Sequence, residues 1–198
     1  VRKLGQLIQA GELRSITAIA CAASTEDLAR ELGIQLIDFT PDTVIDITID
    51  GADEVDPQFN LIKGGGGALT REKIVAQASR RVVIVIDESK RSPMLGTQWP
   101  VPVEVIPFGW QTQMGFLESL GAEPALRETA KGRPYTTDQH NYIIDANFGQ
   151  IEQPNVLGGQ LKNRSGIVEH GLFLDLATDI IVGTPGGALH LRDEDRES

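Results

Sequence analysis

Five consecutive apolar residues, Val82 to Ile86, constrain the fold of this chain more than any other segment. An uninterrupted run of β-branched residues predicts a strand buried on both faces, as in a parallel sheet that helices cover. Strand and helix patterns alternate around this run. Strands are predicted at residues 16–20, 34–39, 43–49 and 82–87, and helices at 24–32 and 68–80. The alternation predicts an α/β fold with a doubly wound, mostly parallel sheet.

The pattern changes near Pro100 and Pro102 to an order of elements that is typical of an α+β unit. Strands are predicted at residues 101–106, 125–130, 142–146 and 167–174, and helices at 111–120 and 155–161. The apolar residues 180–182 predict a return to the first sheet. We therefore predict an α/β domain of residues 1–100 plus 175–190 and a smaller α+β domain of residues 101–174.

The segment after the strand at 43–49 carries an unusual set of polar groups. Asp50 and Asp53 follow the strand, Lys63 precedes four consecutive glycines, and Glu72 lies in the first turns of the next helix. Ligands of open α/β sheets bind outside the carboxyl ends of the strands. We therefore expect these groups to meet at the ligand-binding edge of the sheet.

Each group has a chemical role that suits such a site. Glycines let a ligand approach backbone N–H groups closely, and amides at a helix N-terminus attract an anion. Lys63 adds a positive charge, and a buried Glu72 is a candidate general base. Asp50 and Asp53 can accept hydrogen bonds from hydroxyl groups. The set suits proton abstraction beside a carbonyl in a polyhydroxylated substrate.

Each group also has a purely structural interpretation. Asp50-Gly51 is a common turn signal, a glycine run can be a flexible loop, and Glu72-Lys73 can begin a solvated helix. The glycines match neither the dinucleotide fingerprint nor a Walker A loop. All these groups nevertheless fall within the 24 residues from 50 to 73, which favours a functional site.

This segment resembles the signature of the A-type ribose-5-phosphate isomerases: Asp-Gly-Ala-Asp-Glu, then Lys-Gly-Gly-Gly, then Leu-Thr-Arg-Glu-Lys. Residues 87–90, 102–105 and 183–185 continue the resemblance, which runs from about residue 24 to 187. It implies a Rossmann-like fold with a small inserted domain, and an aldose–ketose isomerase of the pentose phosphate pathway. Such an enzyme interconverts D-ribose 5-phosphate and D-ribulose 5-phosphate through an enediolate, without a metal or organic cofactor.

The resemblance also implies roles for the matching residues. Glu72 would be the catalytic base, with Asp50, Asp53 and Lys63 assisting it, and Lys90 would reach the substrate's phosphate. The substrate-binding residues would be Asp50, Gly51, Ala52, Asp53, Lys63, Gly64, Gly65, Gly66 and Lys90. The alternative is a non-catalytic phosphosugar-sensing domain of a transcriptional repressor, which would need no base at position 72.

The family's upstream Gly-x-Gly-Ser-Thr loop does not occur in this sequence. Val1, Leu4, Leu7 and Ile8 have helical spacing, but no capping residue or initiator Met precedes them. We expect the chain to lack the family's initial helix, first strand and binding loop. This expectation leaves the activity of the chain by itself open.

The composition of the chain limits the classes of binding partner and the cellular compartment. With 18 Lys and Arg against 28 Asp and Glu, the net charge is −10, which disfavours nucleic acids and anionic membranes. The single cysteine, Cys21, cannot form an internal disulfide and fits a reducing, cytoplasmic compartment. The three histidines lack metal-ligand spacing, and residues 192–198 predict a solvated tail. We expect a phosphosugar as the partner and, from the resemblance, a homodimer or homotetramer.

Overall fold

A computed structural model describes residues 1–192 of the chain. The helices are α1 (Arg2–Gln9), α2 (Ala23–Glu31), α3 (Leu69–Gln77), α4 (Gln111–Ser119) and α5 (Pro154–Lys162), with a 3₁₀ turn at Glu88–Lys90. The strands are β1 (Thr17–Ala18), β2 (Gln35–Leu36), β3 (Thr48–Asp50), β4 (Glu54–Val55), β5 (Leu61–Ile62), β6 (Val82–Asp87), β7 (Val101–Val105), β8 (Glu123–Leu126), β9 (Tyr142–Asn147), β10 (Ile167–His170), β11 (Leu172–Phe173), β12 (Asp179–Thr184) and β13 (Gly187–Arg192). No helix within residues 1–192 has the length and apolar character to span a bilayer.

The main sheet has the strand order β13-β12-β6-β3, and β6 occupies the predicted residues 82–87. It pairs in parallel with β3 on one side and β12 on the other, which confirms the predicted α/β class. Ile84 and Ile86 are buried, but Val85 is 46% exposed, so burial on both faces was wrong at that position. Because the three strands are parallel, Asp50 and the residues after Asp87 lie at the same edge.

A second sheet, antiparallel and of order β10-β7-β9-β8, lies within residues 101–170. Helix α4 packs against β8, and α5 packs against β10. The strand predicted at 125–130 lies earlier, at Glu123–Leu126. These elements form the α+β order expected for residues 101–174, and the boundaries of the two domains stay a prediction.

A small third sheet, of order β11-β5-β4, lies between two hydrophobic cores. In β5, Leu61 packs in the core of the main sheet, whereas Ile62 packs in the core of the antiparallel sheet. The strand predicted at 167–174 breaks at Gly171, where a Cβ would come within 2.3 Å of the Lys63 carbonyl oxygen. The close approach lets Gly171 accept a hydrogen bond from Lys63 N at 2.9 Å. The backbone at Lys63 is thus fixed at the junction of the two cores.

Elements near the amino end are shorter than predicted. Strands β1 and β2 have two residues each and pair only with one another among the described strands, while β3 begins at Thr48. Ile37 and Phe39, predicted to lie in a strand, are 40% and 44% exposed. Ile37 N still donates to the Ala18 carbonyl of β1 at 3.0 Å, and the regular pairing of the two short strands ends there. Helix α1 forms as its residue spacing predicts.

Strand β13 was not predicted. It pairs antiparallel with β12 over six residue pairs and makes one edge of the main sheet. Arg192 is exposed, as predicted, but it belongs to this strand and not to a tail. Residues 193–198 lie outside the described part. The sequence pattern is weak because most residues of β13 are exposed on both faces.

A buried carboxylate joins the amino ends of β6 and β12. Asp179 is 3% exposed and accepts hydrogen bonds from Arg81 Nε at 2.8 Å and Arg81 Nη2 at 2.7 Å. His190 Nε2, on β13, lies 2.6 Å from Asp179 Oδ1. Hydrogen bonds from Arg81 lower the pKa of Asp179 and outweigh its burial. The arrangement ties three strands together at the edge opposite Asp50.

Replacing Asp179 by Asn should lower the free energy of unfolding by about 2 kcal/mol, because charge-assisted hydrogen bonds are lost. Since folding lowers the pKa of Asp179, its stabilisation is present above the ordinary aspartate pKa and disappears as the pH falls toward the folded-state value. Urea unfolding of both proteins from pH 7 down to pH 3 measures this loss.

The matched control is Asp46→Asn, which breaks an exposed pair with Arg80 at 3.3 Å. Exposed pairs contribute about 0.5 kcal/mol or less, so this variant should unfold like the parent chain. Equal effects of the two substitutions would contradict the role given to Asp179.

Candidate active site

Lys63 is the centre of the candidate site. Its side chain leaves the end of β5, is 5% exposed and directs Nζ toward the end of β3. Nζ lies 2.9 Å from Asp50 Oδ2 and 3.2 Å from Glu72 Oε2, and it donates a hydrogen bond to the Gly51 carbonyl at 2.6 Å. The structure therefore brings together Asp50, Lys63 and Glu72, as the sequence predicted.

In this cluster, burial and the neighbouring charges have opposing effects on the pKa values of Glu72 and Lys63. Burial raises the pKa of Glu72, the Lys63 ammonium opposes this rise, and the Asp50 carboxylate adds to it, so the net direction is upward. Burial lowers the pKa of Lys63, but Glu72 and Asp50 outweigh burial and raise it. Glu72 Oε2 is buried and makes no hydrogen bond of good geometry, although it lies at ion-pair distance from Lys63. The arrangement leaves a buried carboxylate oxygen without a hydrogen bond beside a fixed cation.

Lys73 is buried and the Glu72 side chain is mostly buried, so the interpretation of Glu72-Lys73 as a solvated helix start was wrong. The Glu72 side chain is 16% exposed, and Lys73 is 5% exposed. Lys73 Nζ donates to Glu169 Oε1 at 2.8 Å and to the His170 carbonyl at 2.5 Å. Helix α3 is therefore anchored to β10 directly beside the candidate base.

The Phe173 ring lies near both buried lysines, with Nζ of Lys73 at 4.8 Å and of Lys63 at 5.4 Å from its centroid. Burial lowers the pKa of Lys73 to about 8, opposed by the Glu169 carboxylate. Burial raises the pKa of Glu169, but Lys73 and Lys162 outweigh it and bring the pKa to about 2. Sequence reasoning missed this cluster, because Glu169 is 96 residues from Lys73 and carries no local signal.

The glycine segment is held by side chains on both sides. Gly65 N donates to Asp53 Oδ2 at 2.7 Å, so one of the amides expected to face an anion is already bonded to a carboxylate. Arg127 Nη1 donates to the carbonyls of Gly64 at 2.8 Å and Gly65 at 3.2 Å. Arg127 is itself held by Asp145 through Nε at 2.9 Å and a second, shorter contact through Nη2. The antiparallel sheet thus fixes the loop that joins Lys63 to α3.

Gly67 shows why this loop requires glycine. Its φ is +84°, and a Cβ there would come within 2.3 Å of the Tyr135 hydroxyl. The same hydroxyl donates to the Gly66 carbonyl at 3.2 Å. Arg127 and Tyr135 had no sequence signal, since isolated polar residues on a predicted second domain point to no particular site.

Lys90 lies at the same edge of the main sheet but outside the Lys63 cluster. It ends the 3₁₀ turn after β6, and its Nζ lies 4.9 Å from the centroid of the Trp99 ring. Within residues 1–192 it forms no ion pair or hydrogen bond with Asp50, Lys63 or Glu72. Its charge acts on the nearby Asp87 carboxylate, but no described carboxylate lies at ion-pair distance from its Nζ, which suits a lysine that meets a substrate phosphate.

Cys21 lies near the cluster. Burial, together with the charges of Asp50 and Glu72, raises the pKa of its thiol to about 12. A thiol with this pKa is protonated at neutral pH and is a poor nucleophile. No group of three or more potential metal ligands occurs in the part of the chain that the structure describes.

Comparison with known families decides the class of protein. A family model described as ribose 5-phosphate isomerase A (phosphoriboisomerase A) matches residues 17–187. The chain belongs to this family. Ribose 5-phosphate isomerase A is an aldose–ketose isomerase, which confirms the predicted family and enzyme class. The comparisons do not support the alternative of a sensing domain.

Relatives with this name cover nearly the whole chain. A ribose-5-phosphate isomerase A from Chloroflexus aurantiacus is 51% identical over 194 residues, which are 98% of this chain and 81% of the relative. Another, from Desulfatibacillum aliphaticivorans, is 48% identical over 192 residues, with 97% and 84% covered.

Solved structures of ribose 5-phosphate isomerases share the fold. The enzyme from Plasmodium falciparum superposes with a TM-score of 0.93 at 35% identity, covering 96% of this chain and 84% of that one. A second ribose-5-phosphate isomerase, solved in complex with phospho-erythronic acid, gives a TM-score of 0.92 at 38% identity, with 96% and 83% covered. These likenesses confirm the fold, whereas the roles of single residues stay predictions.

Replacing Arg127 by Met should loosen the glycine segment, because the carbonyls of Gly64 and Gly65 lose their donor. A charge-assisted hydrogen bond contributes roughly 1.5–3 kcal/mol, so amide exchange of residues 65–67 should accelerate about tenfold or more. Hydrogen exchange followed by mass spectrometry on peptides spanning these residues gives the measurement.

Tyr135→Phe is the comparison variant, since it removes a single hydrogen bond of 3.2 Å and keeps the ring. It should change the exchange of the same peptides much less. A uniform increase along the whole chain in Arg127→Met would show that Arg127 stabilises the entire fold and has no special effect on the loop.

Proposed function

We propose that this protein interconverts D-ribose 5-phosphate and D-ribulose 5-phosphate, with Glu72 as the general base. The observation that supports this best is the buried Glu72 carboxylate, whose Oε2 lies 3.2 Å from Lys63 Nζ. A general base works best when its pKa approaches the working pH, and the pKa of Glu72 is shifted upward. The neighbouring cation offers a partner for an oxygen that becomes negative during the reaction.

The reaction follows from this pairing. Glu72 removes the proton from C2 of the open-chain aldose, and the electron pair moves toward the C1 carbonyl to give an enediolate. Lys63 stabilises the negative oxygen, and a fixed charge does this without reorganisation during the reaction. Glu72 then returns the proton to C1, while a proton passes from O2 to O1. The ketose is the product, and no atom is gained or lost.

The two aspartates have separate tasks in this proposal. Asp50 is 2.9 Å from Lys63 Nζ and faces the same space, so it can orient a hydroxyl and assist the transfer between O1 and O2. Asp53 accepts the Gly65 amide at 2.7 Å and holds the glycine segment in place. Gly51, Ala52, Gly64 and Gly66 supply backbone groups along the substrate.

In this proposal, Lys90 contacts the phosphate group of the substrate. A related isomerase has been solved with phospho-erythronic acid, which combines a phosphate with hydroxyls and a planar carboxylate. A planar anionic carboxylate resembles an enediolate, so the compound suits a site that stabilises this intermediate. We propose that it binds this chain, with its carboxylate beside Lys63 and its phosphate toward Lys90.

Several broader assignments stay predictions. The pentose phosphate pathway and a homodimer or homotetramer are supported by the family resemblance alone, and the cytoplasm is supported by the single cysteine. The division into residues 1–100 plus 175–190 and residues 101–174 is supported by the separate antiparallel sheet.

Glu72→Gln should lower kcat by about 10²–10⁴-fold with a much smaller change in KM, as expected when a positioned general base is lost. The amide keeps the length and volume of the side chain but does not accept a proton at useful pH. A coupled isomerase assay measures turnover, and proton NMR in deuterated water measures exchange of the C2 hydrogen. Turnover and exchange that both survive within a few-fold would rule out Glu72 as the base.

Glu118→Gln on the exposed face of α4 is the matched control and should leave both rates unchanged. The pH profile gives a second measurement, because the base must be ionised in the free enzyme. Since the pKa of Glu72 is raised, kcat/KM should fall with decreasing pH before the ordinary glutamate pKa is reached. This acid limb should be absent from the residual activity of Glu72→Gln.

Lys90→Ala should weaken binding of phosphorylated ligands while leaving unphosphorylated ones nearly unchanged. Loss of a charge-assisted contact of roughly 1.5–3 kcal/mol corresponds to about a tenfold to hundredfold drop in kcat/KM for ribose 5-phosphate. Assays with ribose 5-phosphate and ribose test this, and Lys131→Ala, at an exposed lysine, is the control. If both sugars lose activity to the same degree, Lys90 serves the fold or the chemistry instead.

A further inference from the structure

Lys90 and Trp99 enclose a loop, residues 91–98, whose two ends are both attached to β4. At one end, Ser92 N donates to the Val55 carbonyl at 2.9 Å. At the other end, the Glu54 carboxylate accepts hydrogen bonds from four successive backbone amides. These amides are Gly96 N at 3.1 Å, Thr97 N at 3.1 Å, Gln98 N at 3.3 Å and Trp99 N at 3.0 Å. The position of Trp99 relative to β4 is therefore fixed.

Glu54 has no other partner that explains its burial. It is 0% exposed, and no cation within residues 1–192 lies at ion-pair distance from it. A buried carboxylate without a counter-ion needs several hydrogen bonds, which the four amides supply. Gly96 makes the tight course of the loop feasible, because its φ is +79° and a Cβ would come within 2.0 Å of the Gly149 carbonyl oxygen.

Asp53 lies at a bend directly before β4, and Glu54 is the first residue of that strand. Asp53 binds the Gly65 amide of the glycine segment, and Glu54 binds the loop that ends at Trp99. The acidic segment that follows β3 therefore organises both the loop at the reacting end of the site and the loop next to Lys90.

The Trp99 ring is the surface on which the Lys90 ammonium rests. Trp99 packs against the core of the antiparallel sheet, and Lys90 Nζ lies 4.9 Å from its ring centroid. A lysine side chain has a flexible four-carbon stem, and a cation–π contact restricts where its Nζ spends its time. The charge of Lys90 also acts on the nearby Asp87 carboxylate, but no described carboxylate lies at ion-pair distance from Nζ, so the ring is a direct contact of this ammonium in the free protein.

We propose that Glu54 and Trp99 are positioning residues that hold Lys90 ready for a phosphate and thereby set the preference for phosphorylated ligands. The proposal rests on the proposed function, because it takes Lys90 as the phosphate contact. Glu54 touches no substrate in this scheme and acts through the loop, and Trp99 acts through the lysine.

The experiment compares the binding of phospho-erythronic acid and erythronic acid by isothermal titration calorimetry. Trp99→Leu should weaken phospho-erythronic acid about three- to tenfold, the range that a cation–π contact gives, and should leave erythronic acid unchanged. Trp99→Phe keeps an aromatic face and should restore most of the loss. Trp110→Leu is the matched control, since Trp110 packs against the same core and meets Tyr142 in place of a lysine.

A double variant separates positioning from general destabilisation. In a Lys90→Met background, adding Trp99→Leu should cause no further loss of phospho-erythronic acid affinity, because the cation is already absent. Losses that multiply in the double variant, or a Trp99→Leu variant that weakens both acids equally, would overturn the proposal. Glu54→Gln should follow Trp99→Leu in losing the phosphate preference, since its amide cannot accept all four N–H bonds.

Fluorescence gives a test that uses no substitution of Trp99. The chain has two tryptophans, so Trp110→Phe leaves Trp99 as the sole emitter. Phospho-erythronic acid should change its emission by placing a phosphate against the ammonium that stays on the ring, erythronic acid should not, and Lys90→Met should abolish the change. Unchanged emission on saturation with phospho-erythronic acid would contradict the proposed contact.

The outcomes also separate this proposal from the proposed function. If the unsubstituted chain binds both acids equally, Lys90 is not a phosphate contact, and the phosphate-binding role that the proposed function gives to Lys90 is wrong. If the chain prefers the phosphorylated acid and Lys90→Met removes the preference while Trp99→Leu does not, only the positioning role fails.

Discussion

The buried ammonium of Lys63 is the interaction on which the site depends. Taking a charge out of water is unfavourable, and here the charge is compensated by Asp50, Glu72 and the Gly51 carbonyl. These partners come from β3, from α3 and from the turn between β3 and β4. The same cation keeps the two carboxylates from repelling one another at close range, so each group is stable only because the others are present. In the proposed mechanism, a proton gained by Glu72 changes the charge of this cluster by one unit.

The antiparallel sheet keeps α3 in the orientation that the site requires. Glu104 on β7 accepts hydrogen bonds from Thr70, in the first turn of α3, and from Thr137 at 2.8 Å. Glu169 on β10 binds Lys73, one residue after the candidate base. Two buried carboxylates of the second sheet thus fix the helix on either side of Glu72. A general base must be held within a narrow range of positions, and this requirement explains why so much polar chemistry is buried at the junction between the sheets.

Short-range patterns in the sequence predicted much of the fold and the chemical identity of the site. The apolar run gave β6 with its observed limits, and helical spacing gave α3 within a few residues. The cluster of Asp50, Lys63 and Glu72 was predicted because acids, a lysine and glycines after a strand form a local signal. Strands β1 and β2 were overpredicted, because a hydrophobic pattern marks a potential strand but forms a ladder only where another strand supplies hydrogen bonds. Strand β13 was missed for the opposite reason: pairing with β12 creates it although its side chains are mostly exposed.

The sequence by itself determined which residues form the candidate site, because those residues lie close together along the chain and have types that few structural roles require. Tertiary structure alone decided which residues hold them in place. Arg127, Glu169 and the pairing of Glu54 with residues 96–99 act across separations of 42 to 96 residues. Such partners share no spacing rule, and a single glutamate or arginine in sequence looks the same whether it is solvated or buried. Burial against two separate cores turns these ordinary residues into supports of the site, and burial is a property of the folded chain.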